Sequence, residues 1–296
     1  MKFQQLTLED KPLFDRFFKE RRYENAHYNF TNLFMWRKAY NIKWTVEGKF
    51  LCVKACWEGE TFFLPPFGPE EGLADVVEIM LEHAKEENFP FSFQGVEGYM
   101  VEWLEKIKPG YFSCKPERDN YDYVYLAKDL IELKGRKFHT KKNHVNSFRK
   151  TYSNYQYVPM TADMTQQCID FMAAWCDERG CVKGDSLDCE RNAIVDAMNH
   201  FTVLGFQGGA IFIDGKMAAF TYGEMNNNDT AVIHVEKGRK EFKGVYGVIN
   251  QEFCAHNYQE ALYINREEDM GIEGLRKAKE SYHPVKMVEK YIVKVK

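Results

Sequence analysis

Charge of one sign is missing from this sequence. Its 40 Lys and Arg against 44 Asp and Glu leave a net charge of −4 over 296 residues, which excludes a general basic coat for nucleic acid and leaves only local patches. Long apolar runs are missing too, since no stretch approaches the ~18 residues that a membrane helix needs. The opening residues, MKFQQLTLEDK, are polar and carry acids, unlike a signal or transit peptide. Nor is there the two-residue cysteine spacing of a zinc knuckle: Cys168, Cys176, Cys181 and Cys189 gather in one region, with His200 beyond, at other intervals. No metal site is expected, and no local motif marks a cysteine nucleophile. These features predict a cytoplasmic protein without integral membrane contact, its eight cysteines reduced.

What is present is an ordinary globular composition, 45% hydrophobic and 28% charged, at a length that favours two domains each with its own core. The chain also repeats itself. WTVEGKFLCVKA (44–55) and AIFIDGKMAAFTYGE (210–224) both read as a strand, a tight turn with Gly48 or Gly215, and a second strand. After each comes a third strand, an apolar helical stretch (GLADVVEIMLEHAKEEN; GVYGVINQEFCAHNYQE), a strand, a short helix and a closing strand, YDYVYL or EKYIVKV. At the front, Thr7 and Thr161 each stand where a helix cap belongs, with an acid close behind. The offset is shorter there, so the second copy carries an insertion, placed within CDERGCVKGDSLDCERN.

This order of elements is that of the GNAT acyltransferase fold. LKGRKFHTKKNHVNSFRK (133–150), VEKGRKEFKGVYGVINQEF (235–253) and INREEDMGIEGLRKAKESYHP with EKYIV (264–293) resemble the C-terminal domain family of phosphatidylglycerol lysyltransferase, tandem GNAT proteins related to Fem-type aminoacyl transferases. The expected fold class is therefore α/β (α+β), two tandem GNAT-like domains with mixed, mostly antiparallel sheets. Boundaries are placed at 1–132 and 133–296, the second domain starting with a basic junction helix.

That junction carries Arg136, Lys137, Lys141 and Lys142 among its seven cations and no acid. It either forms the solvated face of an amphipathic helix, with Phe138, Val145 and Phe148 as the buried stripe, or offers cations to phosphate; the two faces differ, so both can hold. The resemblance implies that a donor's phosphates rest where the fourth strand of the second copy meets a helix, because helix N-termini carry unpaired N–H groups. The matching residues are Val235, Lys237, Gly238, Arg239, Lys240, Lys243, Gly244, Val245, Tyr246 and Gly247. Against the family signature of Gln or Arg, two residues, Gly, one residue, then Gly or Ala, this loop has Glu241 and Tyr246 at two of the three defining positions.

For the chemistry, acyl transfer needs a proton acceptor, oxyanion stabilisation and an acid for the leaving group. His234 and Glu236, two apart, are expected to share one face of their strand, with Glu224 ending the strand before. Either they serve there, or His234 is a satisfied buried histidine and Glu236 a surface carboxylate. The resemblance implies that Tyr282 protonates the leaving group; packing against the last strands is the other role open to it. Asn265, Glu267, Glu268 and Asp269 follow the fifth strand, where α/β ligand clefts open, and suit an ammonium or amine, with Arg276 and Lys279 as a basic counterface. Mutual salt bridges among them are the alternative. The expected activity is transfer of an acyl or aminoacyl group from acyl-CoA or aminoacyl-tRNA to an amine or hydroxyl on a small molecule, lipid or peptide. A non-catalytic sensor of coenzyme A, nucleotide or RNA is the rival. Lipid as acceptor fits less well, because no membrane domain accompanies these residues.

Overall fold

A computed structural model describes residues 1–296. Along the chain run β1 (Gln4–Gln5), α1 (Lys11–Lys19), α2 (Phe30–Trp36), β2 (Lys43–Glu47), β3 (Phe50–Trp57), β4 (Glu60–Phe63), α3 (Leu73–Glu86), β5 (Ser92–Val96), α4 (Gly98–Ile107) and β6 (Phe112–Pro116). The second series is β7 (Asp122–Leu126), α5 (Ala127–Glu132), α6 (His139–Thr151), β8 (Gln156–Pro159), α7 (Thr165–Arg179), α8 (Ser186–Asn199), α9 (Phe201–Leu204), β9 (Gln207–Ile213), β10 (Lys216–Met225), β11 (Thr230–Gly238), α10 (Val245–Asn257), β12 (Tyr263–Asn265), α11 (Glu273–Glu280), β13 (Lys286–Val288) and β14 (Tyr291–Val295).

Local chemistry accounts for the start and turn of each copy. Thr7 and Thr161 lead short 3-10 turns into α1 and α7, and the Thr7 backbone N–H donates to the Asp10 carboxylate at 2.8 Å. The β9–β10 turn is Asp214–Gly215 with φ of 49° and 75°, the mirror-image turn that matches strand twist. The stretch 176–192, where the insertion was expected, covers the end of α7, the turn after it and the first half of α8, which is 14 residues long where α2 has 7. At the end of α7 Gly180 takes a left-handed cap. Cys176 and Cys181 then come within 5.3 Å of Cα separation and are joined as a disulfide. This corrects the expectation of eight reduced thiols; the other six cysteines are free.

The two halves each build a seven-stranded mixed sheet, ordered β1-β2-β3-β4-β5-β14-β6 and β13-β7-β12-β11-β10-β9-β8. In each sheet one strand comes from the other half, β14 as the sixth of the first order and β7 as the second of the other. β14 lies antiparallel between β5 and β6, with Val293 opposite Phe93 and Cys114; β7 lies antiparallel to β12, with Tyr125 opposite Ile264. The compact units are therefore Met1–Asp122 with Val288–Lys296, and Tyr123–Met287. This replaces the contiguous halves 1–132 and 133–296. The closing strands were expected to stay with their own copies, but backbone hydrogen bonding is indifferent to which copy supplies a strand.

A hydrophobic cluster packs against the sheet in each unit. In the first, Phe50, Phe63, Phe93 and Leu104 pack with Val293 of the exchanged strand. In the second, Tyr123 and Tyr125 of β7 pack with Ile211, Ile233, Val248, Phe253 and Ile264. Phe138, Val145 and Phe148 join that core, each at most 2% exposed, so the basic segment 133–150 belongs to the second unit. Burying each of these three side chains is worth about 1.5–3 kcal/mol, which fixes α6 and leaves its polar face outward.

Candidate functional site

The second unit's sheet is interrupted at β11. Tyr222 pairs with Val235 and the next residue, Gly223, pairs with Ile233, so His234 is an extra residue in the ladder, a β-bulge. The bulge resets the alternation of side chains. Ala231 and Ile233 join the core that contains α10, and Glu236 accepts from Asn250 Nδ2 of α10 at 3.3 Å. His234 instead faces Glu224 and the ring of Tyr222. His234 and Glu236 thus lie on opposite faces, against the expectation from their spacing, because a period of two survives only in an unbroken ladder.

On the first of these faces His234 is sealed, its side chain 1% exposed. Its Nε2 lies 3.2 Å from Glu224 Oε1 and its Nδ1 lies 3.0 Å from Glu267 Oε1. Burial alone would depress its pKa, but hydrogen bonds to the two carboxylates outweigh that and raise it to about 9. At neutral pH the ring is an imidazolium bridging two acids.

Behind Glu236 the strands part. β11 and β12 run parallel for only three residue pairs, Thr230–Tyr263 to Val232–Asn265. Beyond them Arg266 reaches Glu236 with Nη2 at 2.8 Å and Nε at 3.0 Å. The guanidinium also lies 4.8 Å from the centre of the Tyr282 ring, over which Lys141 Nζ sits at 4.1 Å. Burial lowers the Lys141 pKa, with Arg266 adding repulsion, and burial raises that of the Tyr282 phenol. Glu236 Oε1, Asn250 Oδ1 and Arg266 Nη1 are buried without a hydrogen-bond partner.

The stretch after β12 turns inward. Asn265 Oδ1 accepts from the Glu267 N–H at 2.8 Å. Asp269, fully buried, accepts from Tyr123 Oη at 2.5 Å and from Arg276 at 2.9 and 2.8 Å. Burial opposes its charge, yet the bonds from Arg276, Tyr123 and the Gly271 N–H hold its carboxyl well below the usual range. Lys279, 8% exposed, donates from Nζ to the carbonyls of Arg266 and Glu267, and Glu268 is half-buried beside them. The mutual-bridge alternative is what the geometry displays for Asp269 and Arg276.

At the β11–α10 turn, Lys237 is committed to Glu190 at 2.7 Å and to the Trp175 ring at 4.1 Å, and Arg239 to Glu178 at 3.3 Å. Gly244, at φ 94°, precedes α10 and backs onto His144 and Phe148 of α6. Val235 and Val245 are buried, and Gly247 faces the Tyr282 hydroxyl, 3.5 Å from where a Cβ would stand. Tyr246 donates to the Gly238 carbonyl at 3.2 Å and its ring covers that glycine. Lys137 bridges Asp129 at 2.9 Å, whereas Arg136, Lys142, Lys240 and Lys243 are exposed.

The expected residues thus form two groups about β11 and a basic surface at α6. Arg266, Asn250 and Tyr125 join this geometry although no role was expected of them from the sequence. Asn250 had a signal, a polar residue on the apolar stripe of Val248, Ile249 and Phe253, and it is 1% exposed. No group of three His, Cys, Asp or Glu is placed to hold a metal ion, and no helix is long and apolar enough to cross a membrane.

Comparison with known proteins bears on this geometry. A conserved protein of unknown function from Bacteroides thetaiotaomicron superposes with a TM-score of 0.95 at 39% identity, covering 100% of both chains. L-PGS from Bacillus licheniformis does so at 0.68 and 15%, over 97% of this chain and 92% of that one. FemX gives 0.64 at 10%, over 100% and 98%. An uncharacterised protein of Mycoplasmoides gallisepticum is 23% identical over 205 residues, 65% of this chain and 62% of that relative, so the match spans under two thirds of its length. The architecture is a tandem GNAT-like one. With the family description "Phosphatidylglycerol lysyltransferase, C-terminal" matching residues 20–294, the chain belongs to that family.

Proposed function

We propose that the second unit transfers an acyl or aminoacyl group from a phosphate-bearing donor to an amine or hydroxyl. The observation that carries this reading is the parting of β11 from β12 after three residue pairs, with Glu236, Arg266 and Tyr282 at the opening. The acceptor's nitrogen or oxygen attacks the donor's acyl carbon and forms the new bond. Its proton passes to Glu236 Oε1, the oxygen left without a partner. Arg266 Nη1, likewise unpartnered, faces the developing oxyanion. As the ester or thioester bond breaks, the leaving oxygen or sulfur takes the Tyr282 proton, which burial keeps on the phenol. His234, already protonated, is no general base at neutral pH; it holds Glu224 and Glu267 in place. The donor's phosphates meet Arg136, Lys142, Lys240 and Lys243. Asn265 and Asp269, both buried, shape the loop on the acceptor side, and half-buried Glu268 lies on it.

A relative titled L-PGS and the family's lysyltransferase name support the aminoacyl form of the donor. One observation favours a sensor instead: Tyr246 closes over Gly238, where a coenzyme would approach the backbone. Thermal-shift titration with acyl-CoAs and with aminoacyl-tRNA identifies the donor, and a stabilisation of about 2.7 kcal/mol is expected at a hundred times the Kd. With that donor, Glu236→Gln should keep the Kd and lose transfer by about 10²–10⁴-fold. Unchanged transfer would remove Glu236 from the reaction, and binding without any transfer in the native protein would favour the sensor.

A further inference from the structure

Arg266 and Glu267 are consecutive residues whose side chains serve opposite faces of β11. Arg266 reaches Glu236 at 2.8 Å on the α10 face, and Glu267 reaches His234 at 3.0 Å on the other. An extended chain would present alternate residues to alternate faces, but this segment has left the sheet, since β12 ends at Asn265. What sets the two directions is a local backbone turn, with Glu267 in the left-handed region at φ 57°. A residue with a Cβ holds that conformation only when its surroundings over-determine it.

Those surroundings are specific. The Glu267 N–H is taken by Asn265 Oδ1 at 2.8 Å, and its carbonyl accepts from the Tyr123 N–H at 3.1 Å. The ammonium of Lys279 then donates both to that carbonyl, at 3.1 Å, and to the carbonyl of Arg266. Lys279 is anchored at its other end, where Tyr125 Oη of β7 donates to its backbone carbonyl at 2.8 Å. This buried ammonium donates to two successive peptide carbonyls, the arrangement that holds a peptide turn in one orientation.

We propose that Lys279 is the positioning residue of the β11 centre: bonded to the carbonyls of Arg266 and Glu267, its ammonium sets the turn that directs the first side chain to Glu236 and the second to His234. Its place is thus behind the site, not in contact with substrate. The assignment rests on reading the β11 centre as the working site, but it makes a structural claim that needs no turnover to test.

The readout is the imidazole of His234 in protein labelled with ¹⁵N-histidine, its signals assigned with His234→Gln. In the native protein the ring is expected to titrate near 9. Glu267→Gln removes one of the two carboxylates and calibrates the loss, an opposite charge at this distance being worth about 1–3 units. Lys279→Met should lower the His234 midpoint by at least half the Glu267→Gln shift, and Lys279→Arg should restore it toward the native value. A His234 midpoint unchanged in folded Lys279→Met, with Glu267→Gln clearly shifted, overturns the proposal. Should Lys279→Met fail to fold, Lys279→Gln, whose amide N–H groups can still donate to a carbonyl but carry no charge, takes its place. An unmoved midpoint there is equally fatal and an intermediate one supportive. If no donor is ever transferred, the acyltransfer reading falls while this titration still decides the role of Lys279.

Discussion

His234 carries its proton where most histidines have lost theirs. Its folded-state pKa of about 9 lies above the unfolded value of 6.5, so between these the native state binds more protons and stability falls as pH rises. The contribution is fully present below pH 6.5 and gone above about 9. Glu97, pushed up to about 7 by burial despite backbone N–H bonds from Asn25 and Glu24, gives a slope of the same sign from its unfolded 4.5 up to about 7. Urea unfolding between pH 7 and 8.5 reads the histidine, above Glu97 and below the range where the buried thiols of Cys52, Cys168 and Cys254, pushed up from 9 to about 12, add a slope of the same sign. The native protein should lose stability steadily across that range, and His234→Gln should flatten the curve. A native curve already flat there would mean that His234 is neutral. The two carboxylates are suggested by the acidic run after Ile264 and by Glu224, but the imidazolium is not, since it depends on an approach that only the folded turn at Glu267 creates.

Elements were legible where a local rule governs them. The Asp214–Gly215 turn, the buried stripe of Phe138, Val145 and Phe148 and the insertion reaching into α8 all follow from spacing and turn chemistry. The bulge at His234 was not legible, because one extra residue in a strand leaves no mark when apolar residues line both faces, as Ala231, Val232, Ile233 and Val235 do. Glycines separate the same two situations by energy. Gly244 sits at φ 94° with His144 O 3.3 Å from the position of a Cβ, so Gly244→Ala is expected to cost about 1–2 kcal/mol. Gly274, inside α11 with open space around it, should gain about 0.5–1 kcal/mol as alanine. Chemical denaturation of the two variants measures both. A harmless Gly244→Ala would show that the entry to α10 has slack.

At the scale of the molecule the duplication was visible and the exchange of strands was not. YDYVYL and EKYIVKV look interchangeable, and hydrogen bonds between strands carry no label of origin. The exchange does leave a mark in the first unit. Asp122 opens β7 and Lys290 precedes β14, and the two meet as a buried ion pair at 2.7 Å, 0% and 1% exposed. Asp122 also accepts the Ala26 N–H at 2.8 Å. Lys290→Met takes a buried ammonium away from a buried carboxylate and should cost about 3–5 kcal/mol, read from urea midpoints; a loss under about 1 kcal/mol would mean that water or other partners compensate the Asp122 charge. Deleting Val288–Lys296 should strip hydrogen-exchange protection from β5 and β6, the neighbours of β14, before it touches β9 and β10. Equal loss in both sheets would show that the units melt as one.

The exchange also orders events at the ribosome. β5 and β6 emerge early, yet the strand that belongs between them is translated only after all of Tyr123–Met287. At bacterial or eukaryotic elongation speeds that is a wait on the order of ten seconds or more. Throughout it the nascent amino-terminal sheet lacks the strand whose Val293 completes the cluster of Phe93 and Phe112.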